Sequence, residues 1–263
     1  MYAFNYVRAG SVTEAVQAVP GGNFLAGGMT LLPSLKLRLA RPDQLVDLAG
    51  IPGLAGIEEV GGRIVIGAMT RHIDVASSAL VRAKIPALAD LAGGIGDPLV
   101  RNRGTIGGSI ANNDPSADYP AAVVGFDATI ITDRREIPAA AFFTGLFSTA
   151  LQPGELVLRV SFPIVHRAAY VKFPSPASRY AMVGVMVVQA GKEVRVVVTG
   201  AGPCVFRLPA FEQALSAHFS ATALEGLAVP ADGLNQDLHG TAEYRAHLVS
   251  VMAGRAVAQA QGR

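Results

Sequence analysis

Two short glycine turns constrain this chain more than any other feature of its sequence. Ala26, Gly27, Gly28, Met29 and Thr30 read AGGMT, and Thr105, Ile106, Gly107, Gly108 and Ser109 read TIGGS. Each follows a strand-like or turn segment and sets a Gly-Gly pair beside a hydroxyl residue. Consecutive glycines let the backbone come close to a ligand and reach φ > 0. Successive N–H groups in such a turn form an anion-binding concavity, and a helix N-terminus beside it adds positive potential. The stretch RNRGTIGGSIANNDPSADYP, residues 101–120, has no lysine after its glycines and no G-x-G-x-x-G, so neither usual phosphate fingerprint is present. Taken singly, each turn reads first as a plain turn, as Gly61-Gly62 and Gly93-Gly94 do. Two matched turns suit the two phosphates of a pyrophosphate and equally remain plain turns.

Size and composition narrow the classes. At 263 residues the chain is long enough for two or three domains, and 51% hydrophobic residues suffice for filled cores. Charged residues make up only 16%, which suits a surface partly buried against other subunits and follows equally from many alanines and valines. A net charge of +2 with interleaved signs leaves no basic stripe for nucleic acid. The single Cys204 excludes an internal disulfide and an iron–sulfur cluster held by this chain alone. Its five histidines lack metal-ligand spacing, so no metal site is assigned. No apolar run approaches the ~20 residues of a membrane helix, and MYAFNYVRAGS lacks a signal-peptide core. The expectation is a cytoplasmic chain without a transmembrane segment.

Along the chain, Ser11 and Glu14 form an S-x-x-E capping box opening a helix over residues 11–19. NFLAGG reads as a strand entering a turn, with a helical leucine pattern around Pro33 after it, and QLVDL as a short strand. IEEVGGRIVIGAM reads as a hairpin about Gly61-Gly62. Thr70 is placed to cap the following helix, and another helix covers residues 86–92. The segment 101–120 reads as a loop leading into the strand-like AAVVGFDATIIT, and GELVLRVSFP as a further strand. Two antiparallel strands joined at Ala190-Gly191-Lys192 follow, then helical patterns over residues 209–217, 221–227 and 241–259, the last capped by Thr241.

Three longer stretches, AGGMTLLPSLKLRLARPDQLVDL, RNRGTIGGSIANNDPSADYPAA and KFPSPASRYAMVGV, occur in this order. With AEYRAHLVSVMAGRAVAQA near the end, the chain resembles over essentially its whole length the flavin-binding medium subunit of the xanthine dehydrogenase and carbon monoxide dehydrogenase family of molybdenum hydroxylases. The resemblance implies an α+β chain: a vanillyl-alcohol-oxidase-type (PCMH-type) FAD-binding fold of two α/β lobes, residues 1–53 and 54–165, then a C-terminal domain, residues 166–263, of a small antiparallel sheet and helices. It implies that the backbone at residues 26–30 and 105–109 holds the pyrophosphate of non-covalent FAD.

Further residues enter by position in the resemblance. Asp118 matches an aspartate that bonds the hydroxyl-rich linker of the flavin, and a carboxylate suits hydroxyls because it accepts strong hydrogen bonds; as a bare residue before Pro120 it also reads as a turn former. Asp114, before Pro115, reads as a turn residue. Lys172 matches a lysine near the flavin ring, where a cation stabilises the anionic reduced form, and is equally an ordinary strand-end lysine. Tyr180 stands where relatives place a bulky side chain over the ring, or packs as a sheet aromatic. Val157 aligns with the ring edge and Ile95 with the adenine surroundings; both also read as core. Arg179 stands where many relatives carry an acidic residue.

The function implied is electron transfer. A large molybdenum-cofactor subunit oxidises a substrate, [2Fe-2S] clusters on a small subunit pass electrons on, and FAD on this chain delivers them to NAD, a quinone or dioxygen, in a heterotrimer or its dimer. A self-sufficient FAD-dependent oxidase or dehydrogenase, and a flavin-free assembly or scaffold protein, are the alternatives.

Overall fold

A computed structural model describes residues 1–262. The chain opens with β1 (Asn5–Arg8), α1 (Val12–Ala18), β2 (Asn23–Leu25), α2 (Leu31–Lys36) and β3 (Gln44–Asp47). The strands form a parallel sheet ordered β1-β3-β2. Ser11 caps α1 as expected, its Oγ accepting from Glu14 N–H at 3.1 Å, while Glu14 Oε2 accepts not from Ser11 but from Gly10 N–H, one residue earlier, at 2.8 Å. Strand β2 ends at the first glycine turn, where Gly28 has φ +73°. Helix α2 stops at Leu37 because Arg38 turns left-handed at φ +61°. Ala9, Ala15, Val19, Val46, Leu48, Ile51, Leu54 and Leu156 fill the core beneath this sheet.

The middle of the chain begins with β4 (Ile57–Val60) and β5 (Arg63–Gly67), joined by the expected two-residue turn in which Gly61 and Gly62 both have positive φ. Six short helices follow: α3 (His72–Ser77), α4 (Ala79–Lys84), α5 (Pro86–Gly94), α6 (Pro98–Arg103), α7 (Ile106–Asn112) and α8 (Tyr119–Gly125). Then come β6 (Thr129–Thr132), β7 (Glu136–Pro138), α9 (Ala139–Phe142), the small hairpin of β8 (Phe143–Gly145) and β9 (Ser148–Thr149), and β10 (Val157–Pro163). The sheet here is antiparallel, ordered β4-β5-β10-β6-β7.

Three expectations fail in this region. Residues 101–120 are largely helical rather than a loop: Thr105 caps α7 by accepting from Gly108 N–H at 3.1 Å, and Ile106 and Ile110, one turn apart, are both buried. AAVVG is the body of α8 and not a strand; a run buried on all sides has no period to separate the two, and only TIIT is extended. Thr70 does not cap α3, whose N-cap is Arg71. Instead its Oγ1 donates to Gly56 O at 3.1 Å and accepts from Gly56 N–H at 3.0 Å.

The C-terminal part contains β11 (Ala168–Pro174), β12 (Ala181–Ala190), β13 (Glu193–Thr199), β14 (Phe206–Arg207), α10 (Pro209–Ala217), one 3₁₀ turn (Ala221–Leu224) and α11 (Ala242–Gln261). The 3₁₀ turn replaces the helix expected to residue 227, since Gly226 is left-handed at φ +79°. Thr241 caps α11 as expected, accepting from Tyr244 N–H at 3.2 Å. The sheet β11-β12-β13-β14 is antiparallel yet covered on both faces. Val183, Val185 and Val187 face one core with residues of α10 and α11, while Met186, Val188 and Tyr170 face the core that contains Leu88, Leu91, Ala121 and Val123.

Candidate cofactor site

The two glycine turns lie side by side on the wall of a cleft of about 620 Å³, within the range of ~300–1,000 Å³ typical of cofactor sites. The first packs on the backbone just before the second, and the second packs on Ala68. A Cβ on Gly27 would stand 2.1 Å from the Arg103 carbonyl oxygen, and one on Gly107 would stand 2.5 Å from Ala68 Cβ and 2.8 Å from Ala68 O. These glycines are therefore required by chain-to-chain approach before any ligand is considered.

The N–H groups of the two turns differ. In the second turn, Ile106 N–H donates to Thr70 O at 3.1 Å, Gly107 to Ala68 O at 2.9 Å, Gly108 to Thr105 Oγ1 and Ser109 to Thr105 O at 3.0 Å. In the first turn, none of the N–H groups of residues 26–30 donates to another group among the described residues. An array of unspent donors beside a cleft is what an anionic ligand needs. The first turn thus has free donors, and the second is a close, capped helix end.

Asp118 lines the same cleft. It occupies the N-cap position of α8 but makes no side-chain cap bond. Its carboxylate is turned inward, accepting from Tyr170 OH at 2.5 Å and from Lys172 Nζ at 3.1 Å. Burial pushes its acidity towards the neutral form, opposed by the Lys172 charge and the Tyr170 hydrogen bond. The Tyr170 phenol is itself held far above its usual range by burial and the adjacent carboxylate. Lys172 does not line the cleft; it acts on it through Asp118.

The other sequence-assigned residues divide cleanly. Ala26, Gly27, Gly28, Met29, Thr30, Thr105, Gly107, Gly108, Ser109, Val157, Tyr180 and Ile95 all line the cleft, and Ile106 instead points into the core. Tyr180 is 42% exposed, its hydroxyl shifted up by burial and by Asp114 and Asp118. Asp114 makes the expected turn, accepting from Ser116 N–H at 2.8 Å. Arg179, left-handed at φ +61°, lines the cleft and packs against Gly96. His72, passed over in the sequence, is a buried lining residue whose Nδ1 has no partner; burial, then Arg101, lowers its pKa to about 4. Tyr170 was also missed, although its spacing of two from Lys172 on one strand puts both side chains on the same face.

Residues 2–165 match the family model described as the FAD binding domain in molybdopterin dehydrogenase. The chain belongs to that family. It is an FAD-binding medium subunit of the molybdenum hydroxylase type, an oxidoreductase component. It is 36% identical to the carbon monoxide dehydrogenase medium chain of Hydrogenophaga pseudoflava, over 99% of this chain and 98% of that one. It is 34% identical to the 6-hydroxypseudooxynicotine dehydrogenase complex subunit alpha of Paenarthrobacter nicotinovorans, over 99% and 95%. Among solved structures, carbon monoxide dehydrogenase from Hydrogenophaga pseudoflava lacking the Mo-pyranopterin moiety of its cofactor matches with a TM-score of 0.87 at 35% identity, covering 99% of this chain and 98% of that one. Quinoline 2-oxidoreductase from Pseudomonas putida 86 matches with a TM-score of 0.89 at 28% identity, covering 99% and 98%. This FAD-binding family member has a cleft whose lining fits such a cofactor in kind: unspent backbone donors suit phosphates, and a buried carboxylate suits hydroxyls. No helix among the described residues is long and apolar enough to cross a membrane.

Proposed function

We propose that this chain is the electron-relay subunit of a three-chain molybdenum hydroxylase. A large partner carries the molybdenum cofactor, a small partner carries [2Fe-2S] clusters, and the chain delivers electrons to NAD, a quinone or dioxygen. Bound FAD would supply the redox chemistry, taking electrons one at a time and releasing them in pairs. The chain's own residues bind and orient. The amides of residues 26–30 take the pyrophosphate, and the capped end of α7 closes against it. Asp118 accepts a hydroxyl of the linker, Lys172 balances Asp118, and Tyr180 and Val157 border the ring. The division into residues 1–53, 54–165 and 166–263 is the functional one we propose. The observation that carries the reading is the row of unspent amides lining the same cleft as Asp118.

The test is purification from the native host. Expected are three co-purifying chains and a yellow chromophore, released by acid or heat and migrating as FAD. The lone chain, once reduced, should pass electrons to an acceptor dye, yet no hydroxylatable substrate should bleach it. Bleaching of the lone chain's flavin by an aldehyde or purine would instead establish a self-sufficient oxidase.

A further inference from the structure

Asp118 is held from behind as well as from the side. Just before it, Thr199 Oγ1 contacts the Pro115 and Ala117 carbonyls at 3.1 and 2.7 Å, and Gly200 N–H donates to Pro115 O at 2.8 Å. The backbone that delivers the carboxylate is thereby pinned to β13. The side chain makes no bond to the start of α8, where Pro120 has no N–H to offer and Ala121 N–H donates to Asp118 O at 3.2 Å, and is held by Tyr170 OH and Lys172 Nζ instead. A carboxylate has about four lone-pair positions, so two remain for the cleft.

Gly184 explains how Tyr170 reaches it. Gly184 pairs with Lys172 across the β11–β12 ladder, and a Cβ there would fall 2.2 Å from the Tyr170 hydroxyl oxygen. Glycine inside a strand weakens the strand and marks a close approach. Here the approach is that of the tyrosine, which fills the missing side chain's space.

We propose that Tyr170, seated in the gap left by Gly184, is a positioning residue that aims the Asp118 carboxylate at the hydroxyl-bearing linker of FAD. This rests on the reading that the cleft holds FAD with its linker against Asp118. Without the Tyr170 hydroxyl, the carboxylate keeps Lys172 but loses the second contact that fixes its rotation. The glycine turns that meet the pyrophosphate are untouched. The consequence is selective: ligands with the flavin-bearing half lose affinity, and ligands ending at the pyrophosphate do not.

The experiment compares FAD and ADP binding to the full chain by titration calorimetry, with thermal melts of each variant. Tyr170→Phe should weaken FAD about tenfold, the value of one lost hydrogen-bonding arrangement, and leave ADP within about twofold of wild type. Adding Tyr170→Phe to Asp118→Asn should cost FAD affinity nothing further, because the tyrosine acts only through the carboxylate. Gly184→Ala, which retains Tyr170 but displaces its hydroxyl, should give the same FAD-selective loss. Unchanged FAD affinity in Tyr170→Phe, or parallel loss of FAD and ADP, overturns the proposal. Wild-type chain that binds neither ligand overturns the underlying FAD reading instead.

Discussion

Replacing Gly27 by alanine would put a methyl carbon 2.1 Å from the Arg103 carbonyl oxygen, 2.7 Å from its carbonyl carbon and 2.9 Å from Gly104 Cα. All three are backbone atoms, so no rotamer change clears the clash. A relaxed carbon–oxygen contact needs ~3.3 Å, and the two turns must part by about 1 Å to provide it. Overpacking of this kind costs ~1–3 kcal/mol, and the upper end applies because backbone must move. The same ~1 Å also takes hydrogen bonds of ~2.9 Å beyond their useful range. Two charge-assisted bonds lost to a phosphate, at ~1.5 kcal/mol each, weaken FAD by about 100-fold. Gly27→Ala is therefore expected to damage fold and binding together. The control is Gly61→Ala, where nothing lies within 4 Å of the new Cβ but φ is +59°. It should lose ~1–2 kcal/mol of stability and keep FAD affinity within about twofold. Urea unfolding of the apo chain and fluorescence titration with FAD read both quantities. Native FAD affinity in Gly27→Ala, or equal FAD loss in Gly61→Ala, would refute the assignment of this turn to the ligand.

Lys172→Met leaves Asp118 buried with Tyr170 alone, a loss of about 3–5 kcal/mol at neutral pH by analogy with broken buried pairs. Because burial already raises the folded-state pKa of Asp118 above 3.8, the variant's deficit should be smallest in acid and grow as pH rises; melting temperatures between about pH 4 and pH 8 test the sign. Glu155 behaves oppositely: Arg135 and hydrogen bonds from Gln152 and Thr132 hold it at about 2. Its stabilisation is present above 4.5 and fades as pH falls towards 2, so Glu155→Gln should flatten the acid limb of the stability curve, and an unchanged limb refutes it. Thr105→Val removes the α7 cap and should cost about 1 kcal/mol in urea unfolding.

The cleft was legible where its signal is local. Gly-Gly with a neighbouring threonine marks a backbone feature whatever follows, and resemblance carried Asp118, Val157 and Tyr180 to the lining of one cleft. Legibility ended where the determinant is a distant contact. Gly107 sits inside a helix because Ala68, thirty-nine positions earlier, leaves no room for a side chain, and no window around TIGGS contains that fact. AAVVG was read as extended because continuous burial erases periodicity. Tyr170 escaped for a similar reason: its partner Asp118 is far off in sequence, and the only hint nearby is a glycine in the neighbouring strand.

The two-faced C-terminal sheet works as a party wall between the core under α10 and α11 and the core around Leu88 and Ala121. Residues 2–165, the stretch that defines the family, are consequently not a detachable cassette. A chain ended at residue 165 would keep α5 and α8 but lose the strands bearing Ala168, Tyr170, Met186, Val188 and Val197 from their shared core. It would expose the other side of that core to water, a patch of the kind that drives aggregation. A protease nick in the 166–167 connection should be tolerated, with both fragments staying together. Gene fusions and domain swaps built from this scaffold must carry the sheet with the cleft, because the strand that braces Asp118 is also the masonry of the domain beyond it.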